Sequence, residues 1–158
     1  MFTFYIRVLG NGECVLGNGE KVEVVEKFCY LGDVIGKGGG AEESSRARVR
    51  CVWGKFMELK MLLTARGASL RVKGKIYRAC VQRVLVYGSE TWAMKVDDMQ
   101  SLRRTENNMV RRMSGVTMKN RRSCEELRQG LGVESVESVV SRGRLRWYGH
   151  VEHKTAAD

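Results

Sequence analysis

From Ala41 onward the apolar residues of this 158-residue chain recur at three- and four-residue intervals, and before Gly36 they do not. A period near 3.6 gathers such residues on one stripe of an α-helix, so the change restricts the chain to a short β-rich beginning followed by packed helices. Val49, Val52, Trp53, Phe56, Leu59 and Leu63 form a first stripe that Gly67 can end. The segment "LRVKGKIYRACVQRVLVYG" carries its cations early and is apolar nearly all round from Ile76 to Tyr87, the pattern of a buried central helix. Met99, Leu102, Met109, Val110 and Met113 share the face of a third helix, with Arg104, Arg111 and Arg112 largely opposite. "SCEELRQGLG" reads as a short helix capped by Ser123, with Glu126 in the capping-box position. In the last helix Val136, Val139, Val140, Trp147 and Val151 fall together, and Gly143 on that face admits a close neighbour.

The first 35 residues have a different grammar. "VLGNGE" occurs twice, at 8–13 and 15–20, and each copy holds the Asn-Gly dipeptide that tolerates the two positive φ angles of a type I′ hairpin turn. "KVEVVEKFCYLGDVI" is then rich in β-branched and aromatic residues, which predicts two or three short antiparallel strands. "GKGGG" follows as a flexible hinge, because consecutive glycines have the most backbone freedom to lose; it lacks the spacing of a phosphate-binding loop. The fold class is mainly α: a small antiparallel β-hairpin unit at 1–35, a glycine-rich hinge at 36–41, and a bundle of about four or five helices at 42–158. At 43% hydrophobic residues there is enough apolar material for one core.

"YGSETW", at 87–92, poses the question of a site against the end of an element. Gly88 suits a left-handed stop after the central helix, and Ser89 to Trp92 suit the turn into the next one, with Trp92 packed.

Charge narrows the partners. The net charge is +10, and it is unevenly placed: residues 1–41 hold four basic and five acidic side chains, the rest 24 and 13. An excess of that size in the helical part suggests a polyanion, nucleic acid before an anionic membrane. The clusters are Arg71, Lys73, Lys75 and Arg78; Arg103, Arg104, Arg111 and Arg112; and Arg121, Arg122, Arg142, Arg144 and Arg146. The five cysteines form neither a metal-ligand spacing nor an even-numbered disulfide framework, and no stretch has the length of a membrane span or the form of a signal peptide. These features predict an intracellular chain, nuclear or cytoplasmic, that is neither secreted nor membrane-bound. The abrupt ends suggest a fragment.

Catalytic constellations are lacking. Asp97-Asp98 is the sole adjacent aspartate pair, but Lys95 stands where a polymerase carries an aromatic, and the pair opens a helix, where carboxylates favour the N-terminal dipole. His150 and His153 would need distant help to hold a metal, and no serine or cysteine has a histidine at a suggestive spacing.

"KFCYLGDVI", the glycine-rich break, "ARVR", "SLRVKGKIYRACVQRVLVYGSETW", "EELRQGLG" and "RGRLRWYGHVEHK" occur in that order. In series they resemble the C-terminal part of reverse transcriptases from LINE-type, non-LTR retrotransposons, over roughly residues 15 to 154. The resemblance implies that Tyr30, Leu31 and Gly32 match the strand closing the palm beside the primer terminus, and that the helices match the thumb that closes over template and primer. It implies packing roles for Trp92 and Trp147. The polymerase carboxylates of that family have no counterpart in this sequence, so Mg2+ is implied only for a catalytic palm not included in it, and no cofactor is expected here. The implied function is that of a nucleic-acid-binding part of an RNA-directed DNA polymerase, inactive alone. Its partner is RNA or an RNA·DNA duplex, with a palm supplied in trans as a further partner. Its contact residues are Tyr30, Leu31, Gly32, Arg71, Lys73, Lys75, Arg78, Arg104, Arg111, Arg112, Arg142 and Arg146. A degenerate retroelement reading frame and an independent DNA-binding helical protein are the alternatives.

Overall fold

The computed structural model describes residues 6–8, 14–16, 21–22, 27–30, 33–36 and 41–155, which are mainly helical. Short strands β1 (Ile6–Val8), β2 (Cys14–Leu16) and β3 (Lys21–Val22) pair antiparallel in that order, and β4 (Lys27–Tyr30) pairs antiparallel with β5 (Asp33–Gly36). The turns expected at Asn11-Gly12 and Asn18-Gly19 and the glycines at 37–40 lie outside the described residues. β5 is tied to the helices through Ser44, whose Oγ accepts from the Val34 backbone N–H at 3.0 Å.

The helical part comprises α1 (Glu42–Glu58), α2 (Lys60–Leu63), α3 (Leu70–Ile76), α4 (Arg83–Leu85), α5 (Val96–Ser114), α6 (Cys124–Leu131) and α7 (Val136–Thr155). Its core joins Val52 and Phe56 of α1, Leu63 of α2, Leu85 of α4, four residues of α5's predicted stripe, and Leu127 and Leu131 of α6. Each of these large side chains contributes on the order of 1.5–3 kcal/mol by leaving water. The first predicted stripe is thus the packed one, interrupted only by a kink at Leu59.

The central helix departs from expectation in two ways. Between α3 and α4, Tyr77–Gln82 winds as a π-helix, with wider turns than an α-helix. The run is buried along one side only: Tyr77, Val81 and Leu85 are fully buried, whereas Ala79 is exposed and Tyr87 is 54% exposed. An apolar sequence all round therefore does not give a helix buried all round here, because the bundle covers one flank.

Helix ends follow their chemistry. Asp98 accepts from the Lys95 backbone N–H at 3.0 Å and from Ser45 Oγ at 3.2 Å, closing the start of α5 and pinning it to α1. Ser123 Oγ accepts from the Glu126 N–H at 3.1 Å to start α6. Gly74 lets α3 press on the end of α6, since a Cβ there would stand 1.9 Å from the Leu131 carbonyl oxygen.

α7 is two different halves. Val136 and Val140 are buried, but Trp147 is 48% and Val151 43% exposed, so the predicted stripe does not continue into the core. The pattern is uniform along the helix, but among the described residues no α7 side chain beyond Val140 is fully buried.

Candidate nucleic-acid interface

The two motifs "YGSETW" and "RGRLRWYGHV" meet. Gly88 takes a left-handed φ of 77°, and Trp92 lies buried beside it, its Nε1 at 3.6 Å from where a Gly88 Cβ would stand. Arg144 of α7 donates to the Ser89 carbonyl at 3.4 Å and to the Trp92 carbonyl at 2.8 Å, so the turn is held from outside by a guanidinium. The helix ends earlier than expected, at Leu85, and the motif forms the left-handed turn that follows it, with a packed tryptophan.

Beneath the helical surface sits a polar network that sequence periodicity does not disclose. Glu106 of α5 is fully buried; its carboxylate accepts from the Val136 N–H at 3.0 Å and from Gln82 Nε2 at 3.1 Å. Gln82 also donates to the Glu134 carbonyl at 2.8 Å. Arg128, 7% exposed, reaches Glu106 at 3.7 Å, Asn107 at 2.9 Å and Glu125 at 2.9 Å. Burial pushes the Glu106 carboxyl up to about 7, against the opposing pull of the Val136 and Gln82 hydrogen bonds and of Arg128. Burial, with the Glu106 charge nearby, also raises Tyr77 well above the usual phenol range. These groups tie α5, α6, the π turn and the start of α7 together, which fixes the orientation of the cations above them.

Those cations separate into kinds. Lys73 is buried, and its Nζ donates to the Met113 carbonyl at 3.1 Å at the end of α5; its charge is turned inward, where it satisfies a helix-terminal carbonyl. Arg111 donates to the Arg122 carbonyl at 3.1 Å, and Arg112 lies 5.0 Å from the Trp53 ring centroid. Arg104 binds Gln100 at 3.1 Å. Arg142 pairs with Glu134 at 2.7 Å. By contrast Arg71, Lys75, Arg78 and Arg146 are exposed and form no ion pair among the described residues.

Arg78 and Arg142 line one cleft, together with Arg83, Gln82 and Glu134. Arg83 is absent from the predicted set for a geometric reason. Two residues five apart on an α-helix point about 140° apart, whereas a π turn brings them into line, so the six-residue π segment sets Arg83 beside Arg78. Tyr30 lies in β4, and Leu31 and Gly32 fall outside the described residues.

Among the described residues no group of three or more His, Cys, Asp or Glu side chains is placed to hold a metal ion. Both Asp98 oxygens are committed to the Lys95 N–H and Ser45, and the surrounding cleft brings Arg46 and Lys95 against Asp97 and Glu42, so this donor set does not suit a divalent cation. Cys51, Cys80 and Cys124 are free thiols. No helix among the described residues is long and apolar enough to cross a membrane.

No protein-family model matches the chain, and no solved structure matches it. It is similar to an uncharacterized transposon-derived protein of Caenorhabditis elegans, at 25% identity over 138 residues. The match covers 85% of this chain and 49% of that protein, so the chain spans about half the length of the relative.

Proposed function

We propose that this chain is the thumb-like, nucleic-acid-binding part of a retroelement reverse transcriptase, gripping template and primer by their backbones. It carries no catalytic centre of its own. One observation carries the reading: Arg71, Lys75 and Arg78 succeed one another along the exposed edge of the central helical run, and the π turn adds Arg83 opposite Arg142 across a cleft. Such a row tracks phosphates by counterion release and by shape, without reading bases. The transposon-derived relative and the ordered motif series both favour a retroelement origin. In this reading the Tyr30–Gly32 stretch borders the primer terminus, and a separate palm supplies the Mg2+-binding carboxylates.

The test is a salt titration of binding to an RNA·DNA hybrid, with double-stranded DNA and heparin as competitors. The reading expects a steep fall in affinity with salt and a preference for the hybrid over both competitors. Weak binding that heparin abolishes equally well would overturn it and leave only a charged surface.

A further inference from the structure

The outer half of α7 presents a second surface, different in chemistry from the arginine row. Gly143, Arg146, Trp147 and His150 follow at i, i+3, i+4 and i+7, one face of the helix, and they line an open cleft of about 430 Å³ against Glu90 and Thr91 of the turn. That volume lies within the range of small-ligand pockets. Trp147 is half exposed, and its ring stands 6.1 Å from that of His150, tilted by 41°. Across from them Glu90 is half-buried and makes no hydrogen bond or ion pair with the described residues, although Arg146 lines the same cleft. An aromatic face, a cation and an unengaged carboxylate around one concavity are the parts needed to hold a flat, polar, anion-bearing ligand.

We propose that this cleft takes an unpaired nucleobase of a single-stranded nucleic acid, with the base stacked on Trp147, its amino edge donating to the Glu90 carboxylate, and its phosphate beside Arg146. The occupant is argued from charge complementarity and from the carboxylate. In a chain of net charge +10 the helix flank attracts a polyanion, and an ionised carboxylate accepts hydrogen bonds but donates none. A base with an exocyclic amine, such as cytosine, satisfies Glu90; uracil presents the O4 acceptor where cytosine presents that amine, and its one donor on this edge, N3–H, is flanked by two carbonyl oxygens that oppose the carboxylate. Arg144 keeps the cleft in shape by bonding the turn from below. This assignment rests on the nucleic-acid-binding reading and adds single-strand stacking to it.

The experiment is a fluorescence titration of the full chain and of Trp147→Leu and Glu90→Gln with short oligocytidylate, oligouridylate and an RNA·DNA hybrid. Trp147 is half exposed and Glu90 half-buried, and the second substitution keeps the side chain's shape. Trp147→Leu is expected to weaken single-strand binding by roughly ten- to a hundredfold while hybrid binding stays within about twofold. Glu90→Gln is expected to abolish a preference for cytidylate over uridylate. If the hybrid binds but Trp147→Leu leaves single-strand affinity unchanged, or weakens both equally, the cleft assignment falls and the backbone reading stands. If neither nucleic acid binds saturably, both fall.

Discussion

The Glu106 carboxylate accepts the Val136 backbone N–H at 3.0 Å, so a side chain in the middle of one helix closes the start of another. The acid that does so titrates in an unusual range, and this fixes the sign of a pH effect. Folded, Glu106 holds its proton up to about 7; unfolded, it releases it near the ordinary value of 4.5. Between those values the folded chain binds more protons, so stability falls as pH rises through the window, by up to about 3 kcal/mol. The full contribution is present below the lower value and lost above the upper one. Glu106→Gln keeps an acceptor for Val136 and should flatten this slope, as read by urea midpoints across a pH series. A slope as steep as that of the parent would exclude Glu106 as its source.

Arg144 bonds two carbonyls of the turn after α4. Arg144→Ala should cost about 1.5–3 kcal/mol, because charge-assisted bonds to partly buried carbonyls are lost. Hydrogen exchange should speed up at residues 88–92 and along α7 beyond Gly143, and little elsewhere.

Two glycines make opposite forecasts. Gly74→Ala drives a methyl into the Leu131 carbonyl and should destabilise by about 1–3 kcal/mol or more. Gly54, inside α1, has nothing within 4 Å of an added Cβ, so Gly54→Ala should stabilise by about 0.4–1 kcal/mol. Thermal denaturation of the pair compares them directly.

Charge location separates binding from folding. Neutralising Arg78 or Arg83 should lower the salt dependence of nucleic-acid binding by about one phosphate each, with melting unchanged. Lys73→Met should instead lower the melting temperature and leave the salt slope intact, since Nζ is spent on the Met113 carbonyl.

The isolated chain should incorporate no nucleotide with Mg2+ on a primed template, because Asp98 is consumed in capping and pinning α5. Detectable incorporation by the pure chain would contradict that assignment.

The apolar stripes of α1 and α5, the Ser123 cap, the helix-opening role of Asp98 and the left-handed turn at Gly88 were legible in sequence, because each depends on neighbours within a turn or on a strict period. Glu106 and Arg128 were not. A buried ionic residue looks like any surface residue in a sequence until three separate elements supply its partners. Lys73 misled for a related reason, as its run of cations reads as one face although the bundle turns one member inward. Trp147 and Val151 continue the spacing of Val136 and Val140, yet both stand about half exposed. The alignment of Arg78 with Arg83 depends on a winding that no residue pattern announces.

That winding has an evolutionary corollary. An α-helical position turns by about 100°, so deleting Ala79 and restoring ordinary winding would leave Arg78 and Arg83 four apart, about 40° from one another and still on one flank, whereas ordinary winding without the deletion would set them about 140° apart. Loss of one codon together with the π turn therefore keeps such a grip aimed where it is, whereas loss of the π turn alone re-aims it in one step. Among relatives of this chain, one residue fewer between Tyr77 and Gln82 is therefore the change that lets an ordinary helix point the positive row the same way.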